Sequence, residues 1–171
     1  MSTQTTYLLD ANIFLTPFQY YYPFDIAKPF WLFLEDSMES GTLVIAKKVY
    51  DEVTKVPDEL SEWMKRLSIN CVDHRPIDVL NNYRAVLNHI QTDTKCYTIK
   101  ALTVWSDIKV ADPWLLAIAM TYGYTIVTLE IPNNSLGSTP SNKVKIPDVC
   151  EYFHVPCINL FEMLRRLNFT F

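Results

Sequence analysis

Short apolar, β-prone runs alternate along this chain with segments of helical length, and that alternation restricts the fold more than any other feature. Thr6 to Leu9 (TYLL), Thr42 to Ala46 (TLVIA), Tyr124 to Leu129 (YTIVTL) and the short Val155-Pro156-Cys157-Ile158 read as strands, because apolar and β-branched residues run there without a helical period. Between them, Trp31 to Ser40, Lys47 to Val56, Asp58 to Leu67, Ile77 to His89 and Leu160 to Leu167 space their apolar residues for helices. Asp112-Pro113, a capping residue followed by proline at the first helical position, starts a further helix that ends at Gly123. Ile146 to Cys150 begins a helix or turn, and Ile131 to Val144 collects Pro, Asn, Ser, Gly and Thr and is expected to be a loop. Strands alternating with helices predict an α/β fold whose mostly parallel sheet is covered on both faces. With 171 residues, half of them apolar, the chain is expected to form a single domain over 1–171.

Composition removes several classes of function. A net charge of −4 argues against broad electrostatic coating of nucleic acid or membrane. Three glycines in the whole chain leave no P-loop and no GxGxxG, so nucleotide-binding Rossmann enzymes are excluded. Cys71, Cys96, Cys150 and Cys157 form no CxxC pair. Cys150, His154 and Cys157 lack a paired fourth zinc ligand, and the thiols read as reduced and buried. Met1 to Thr6 has no basic or apolar signal region, and no window nears the ~18 apolar residues of a membrane span. A soluble, cytoplasmic protein with no membrane partner is expected.

In open α/β sheets the ligand crevice lies outside the carboxyl ends of the strands, and acidic residues collect there. Asp10 directly follows the first strand, Glu52 sits in the helix after the second, Asp112 begins the helix before the TIVTL strand, and Glu130 follows that strand, with Asp148 a fifth candidate. Carboxylates brought together without counter-charge raise one another's pKa, so such a cluster makes sense mainly as a hard-cation site for Mg²⁺ or Mn²⁺. Ions of this kind activate water and stabilise a phosphodiester leaving group. Each acid also has a structural account: Asp10 in an Asx turn, Asp112 as an N-cap, Glu130 as a polar residue after a strand, Asp148 as a cap after proline. Glu52, three residues after Val49, is expected on the inward face, while Asp51 points away and can pair with Lys55 at i+4.

YLLDANIF, the acid in KKVYDEV, and VADPWLLAIAMTYGYTIVTLE, in this order, resemble the PIN-domain family of VapC-type toxin ribonucleases. The resemblance implies a three-layer α/β/α fold and a magnesium- or manganese-dependent endoribonuclease. In it Asp10, Glu52 and Asp112 match the three core metal-binding and catalytic acids, and Asn12 matches a polar residue supporting the first. The family's fourth acid follows a Thr-x motif; here Thr128-Leu129-Glu130 carries Glu where Asp is commoner, and Asp148 in KIPDVCEYF takes or shares that position. About 60 residues separate Glu52 from Asp112, so the helical middle is enlarged relative to small members and its substrate contacts do not carry over.

Competing enzyme classes fit less well. A haloacid-dehalogenase-type phosphatase needs a second Asp two residues after the first, where Asn12 stands, and a receiver domain's paired acids and late lysine are missing. The remaining alternative is a catalytically silent PIN-like protein-binding module. The aromatic stretch Phe18 to Phe33 is expected to supply core and homodimer packing; read functionally, it is a groove for an antitoxin segment. Lys47, Lys48, Lys109, Lys143 and Lys145 are candidates to hold RNA phosphates. No histidine is assigned a catalytic role.

Overall fold

The computed structural model describes residues 5–171. Met1 to Gln4, part of the stretch read above as lacking an export signal, lie outside the described residues. Strands β1 (Tyr7–Leu9), β2 (Leu43–Ile45), β3 (Thr125–Val127) and β4 (Cys157–Ile158) form one sheet in the order β2-β1-β3-β4, parallel at every pairing. Leu8 lies opposite Val44 on one side and Ile126 on the other. Parallel strands need crossovers, and helices supply them: α1 (Asn12–Thr16), α2 (Lys28–Glu39), α3 (Lys47–Val53), α4 (Glu59–Arg66), α5 (Ile77–Thr92), α6 (Ile99–Trp105), α7 (Asp112–Tyr122), α8 (Ile146–Phe153) and α9 (Leu160–Arg166). The result is α/β and consistent with three layers, as the alternation of runs predicts. The strands are one to three residues shorter than the apolar runs, and α6 is an addition to the helices expected from the sequence; its N-cap is Thr98, whose hydroxyl accepts from the Ala101 N–H at 3.4 Å. Among the described residues no helix is long and apolar enough to cross a membrane.

The sheet's centre is dry. Every residue of β1 and β3 is buried, because helices cover both faces. α7 is buried continuously from Pro113 to Ala119 and so has no polar face; such a helix belongs inside a protein rather than on its surface. It packs along α5, where the Tyr83 ring stacks on Trp114 at 3.8 Å and Asn82 Nδ2 donates to Thr121 Oγ1 at 2.9 Å. Gly123 ends α7 at φ +71°, a left-handed position open to glycine at little steric cost.

The aromatic stretch divides between two fates. Phe30 and Trp31 join the core, with Trp31 stacked on Phe24 at 4.4 Å and edge-on to Trp63 at 5.1 Å. Tyr20 and Tyr21 are 73% and 67% exposed. The divide falls in a π-helical turn, Pro17–Tyr21, that continues α1. Pro17 has no N–H to give the preceding turn. Its carbonyl instead accepts from the Tyr22 N–H at 2.7 Å, and the Trp31 indole donates to the Tyr22 carbonyl at 2.8 Å.

Candidate functional site

The chain reverses its direction of growth across the sheet between β1 and β3, and the carboxyl ends of those strands are tied by side chains. Thr128 Oγ1 donates to Asp10 Oδ2 at 2.7 Å and accepts from Asn12 Nδ2 at 3.1 Å, while Asn12 Oδ1 accepts from the Leu129 N–H at 3.0 Å. The other Asp10 oxygen takes the Ala11 N–H at 2.7 Å. Asp10 is 6% exposed. Burial pushes its carboxyl up to about 6, with the Thr128 and Ala11 hydrogen bonds pulling down and the like charges of Glu130 and Glu52 adding to the rise.

Asp112 is the first residue of α7, not its cap. Ala111 holds the N-cap position and no side chain caps the helix, so the capping role expected from Asp112-Pro113 is not used. The reason is local: Ala111 is itself in a helical conformation, Pro113 has no N–H to offer, and the Trp114 N–H is already taken by the Ala111 carbonyl at 3.0 Å. Among the described residues no hydrogen bond or ion pair reaches its carboxyl group. Its pKa is pushed up to about 7, first by burial and then by Asp10, Glu130 and Glu52, with Lys145 opposing. A helix N-terminus favours an anion by roughly 0.3–1 kcal/mol, too little to offset desolvation among like charges.

Glu52 is exposed rather than inward. In α3 the buried stripe is only Val49 and Val53, and the residue at i+3 from Val49 falls at its edge. From there Glu52 lines a cleft of about 490 Å³ with Asp112, Lys48, Lys55 and Lys109. Partial burial raises its pKa, and Lys55 lowers it. Asp51 pairs with Lys47, not with Lys55, because α3 ends at Val53 and Lys55 lies beyond the helix. Among the described residues Lys48, Lys55 and Lys109 form no salt bridge, and Lys48 Nζ sits 6.0 Å from the centre of a Trp114 ring. Lys55 was missed as a phosphate-binding candidate; its place three residues after Glu52 was the available signal.

Glu130 and Asp148, left open as alternatives by the sequence, occupy different surroundings. Glu130 Oε1 accepts from Lys145 Nζ at 2.7 Å and Oε2 from the Ile146 N–H at the start of α8 at 2.8 Å, so both oxygens are already engaged. It still acts on Asp10 and Asp112 as a like charge. Asp148 accepts from the Asn133 N–H at 3.0 Å, which fastens the loop after β3 to α8. Burial raises its pKa, and its charged neighbours are Glu130, Glu151 and Lys145. The structure thus brings Asp10, Glu52, Asp112 and Glu130 together and holds Asp148 with the loop.

Among the described residues no group of three or more His, Cys, Asp or Glu side chains stands close enough together to hold a metal ion. The oxygen donors nonetheless suit a hard cation. Mg²⁺ keeps several waters and needs only one or two carboxylates, and Asp112 and Asp10 are acids whose charged forms are disfavoured by burial and by neighbouring carboxylates, Asp10, Glu130 and Glu52 for the first and Glu130 and Glu52 for the second. A divalent ion that kept most of its waters would relieve both penalties through Asp10 and Asp112, with Thr128 and, through it, Asn12 orienting Asp10.

A family model described as a domain of unknown function, DUF4411, matches residues 7–171. No curated protein and no solved structure matches the chain.

Proposed function

The chain belongs to the DUF4411 family, a domain of unknown function, and on that premise we propose from the site itself that it is a divalent-metal-dependent endoribonuclease of the PIN/VapC toxin type, working in the cytoplasm. The observation that carries the reading is Asp112: a half-buried carboxyl without a protein hydrogen-bond partner among the described residues, set among the like charges of Asp10, Glu130 and Glu52 in a cleft carrying Lys48, Lys55 and Lys109. A cation relieves the first feature, and phosphates suit the second.

The reaction adds water across a phosphodiester P–O bond and releases a hydroxyl and a phosphate end. A Mg²⁺ or Mn²⁺ ion held there would supply a water of lowered pKa and offset the negative charge that develops on the phosphoryl and leaving oxygens. Asp10, just after β1, and Asp112, at the start of α7, would hold it, and the Thr128 bond, itself supported by Asn12, keeps Asp10 in one rotamer. Glu130 holds Lys145 at the rim, and the free lysines of the cleft position the flanking phosphates. Histidine is not needed; His89 is buried and stacked on Tyr152 at 3.6 Å. An antitoxin and a second copy of the chain are the protein partners of this reading, and the exposed Ile99, Val104 and Ile108 offer apolar surface for one of them.

The open spacing of the acids favours a second reading, a catalytically silent protein-binding module. One experiment separates the two: Mg²⁺ and Mn²⁺ titration of wild type, Asp10→Asn and Asp112→Asn, read by thermal shift and by cleavage of a structured-RNA pool. The nuclease requires metal-dependent stabilisation and cleavage that both variants lose. No metal response in the wild type, or cleavage that survives both substitutions, removes it.

A further inference from the structure

We propose that an aromatic pocket beside the acidic site is a nucleobase subsite, which takes one unpaired base of a single-stranded RNA; the inference rests on the nuclease reading above and names the form of its substrate. The pocket, about 600 Å³, is lined by Thr16, Pro17, Tyr21, Tyr22, Leu129 and Phe161, together with Leu160. That is the size and apolar character of a small-ligand pocket, with hydroxyls as its polar handles. None of its lining residues is charged, so it is not a phosphate site; the free lysines line the separate cleft beside Glu52 and Asp112.

Two chain segments join the pocket to the acids. Leu129 stands between Thr128, which holds Asp10, and Glu130, and its N–H is held by Asn12. Asn12 is the first residue of α1, and Thr16, the last, is a wall of the pocket. A base held there belongs to a nucleotide within reach of the acids.

The pocket is also built to stack a ring. Tyr22 is braced by Phe30 at 4.9 Å and Phe171 at 5.3 Å, and its carbonyl is held by the Trp31 indole. Tyr21 and Phe161, by contrast, are 67% and 51% exposed. Large rings left in water next to a polar site recover free energy when a flat aromatic ligand covers them. The π-helical turn that turns Tyr21 outward is a rare element that recurs at functional sites. Duplex RNA keeps its bases stacked inside, so a base pocket selects single strands, loops and bulges.

The test measures binding of a fluorescein-labelled single-stranded oligoribonucleotide by anisotropy, in Ca²⁺, to the full chain and to Tyr21→Ala, Phe161→Ala and Tyr21→Phe. The comparison probes are the same strand with abasic positions and a duplex of the same sequence. One stacked base contributes about 1–3 kcal/mol, so each alanine is expected to weaken single-strand binding by about 5- to 150-fold. Tyr21→Phe stays near wild type, and the abasic strand binds wild type no better than the intact strand binds Tyr21→Ala. Circular dichroism of the exposed-site variants checks that they fold. Equal affinity of wild type and both alanine variants for the strand overturns the subsite while leaving metal-dependent cleavage standing. Unchanged RNA affinity with a shift from dimer to monomer in sedimentation overturns it in favour of a second copy of the chain. Failure of wild type to bind or cleave any RNA removes the subsite as well, and the metal titration of Asp10→Asn and Asp112→Asn then shows separately whether the metal site has failed too.

Discussion

Replacing Asp112 by Asn should make the metal-free protein more stable at alkaline pH, the opposite of what loss of a structural aspartate does. The carboxyl is raised from an ordinary 3.8 to about 7 by burial, then by Asp10, Glu130 and Glu52. For an acid whose folded pKa lies above its unfolded value, the folded state binds more protons in the window between the two. Stability is therefore highest below the unfolded pKa and is lost as pH rises through the folded one. A shift of about three units, at 1.36 kcal/mol each, sets a ceiling of about 4 kcal/mol above pH 7. Asp10 titrates in the same field, so the pair shares its protons and the gain for one substitution falls below that ceiling. Urea unfolding in EDTA at 25 °C should show Asp112→Asn more stable than wild type by about 2–4 kcal/mol at pH 8, or roughly 4–16 °C in Tm for a chain of this length. By pH 5 the same two pKa values leave less than half of that ceiling. Mg²⁺ at one thousand times its Kd should then offset or reverse the order, since it stabilises the binding form by about 4.1 kcal/mol. A variant less stable than wild type at pH 8, or a gap that does not narrow toward pH 5, would refute the like-charge cluster and leave Asp112 a plain helix-start residue.

Asn12→Ala removes the bonds to Thr128 and to the Leu129 N–H. It should cost about 1–3 kcal/mol in chemical denaturation and should lower kcat more than it raises KM, because Asp10 loses its orientation rather than its charge. Lys48→Ala, Lys55→Ala and Lys109→Ala should each raise KM for RNA and reduce the salt slope of binding by about 0.7, the value for one phosphate contact on a single strand. Lys47→Ala, already paired with Asp51, should do neither. Gly123→Ala places a side chain at φ +71°; nothing crowds the position, so the cost is the left-handed backbone alone, about 1–2 kcal/mol by thermal unfolding.

The parts legible in the sequence are those set by short-range pattern. The strand runs around Leu8, Val44 and Ile126 are continuous and apolar because both sheet faces are covered, and Pro113 and Gly123 bracket α7 by their own backbone preferences. Asp10 was readable for the same reason, as the first polar residue after a buried strand. Single-residue roles were less readable. Asp112 looked like a cap, but the helical conformation of Ala111 moved the cap one residue earlier. Glu52 looked inward, but the buried stripe of α3 proved only two valines wide. The partner of Asp51 depended on where α3 stops, a boundary that tertiary packing sets.

Periodicity and turn chemistry are local properties, and they suffice for an α/β chain with acids at the carboxyl ends of its strands. Which acids share one field depends on long-range packing. Asp10 and Thr128 are 118 residues apart and bonded at 2.7 Å, whereas Glu130 and Asp148, both near the last loop, are separated by the partners each found: Lys145 and Ile146 for one, Asn133 for the other. The same holds for the aromatic stretch, whose residues share one composition yet are divided between core and surface at Pro17 to Tyr21. Burial and like-charge repulsion depend on distances through space, and those exist only once β1 and β3 lie side by side.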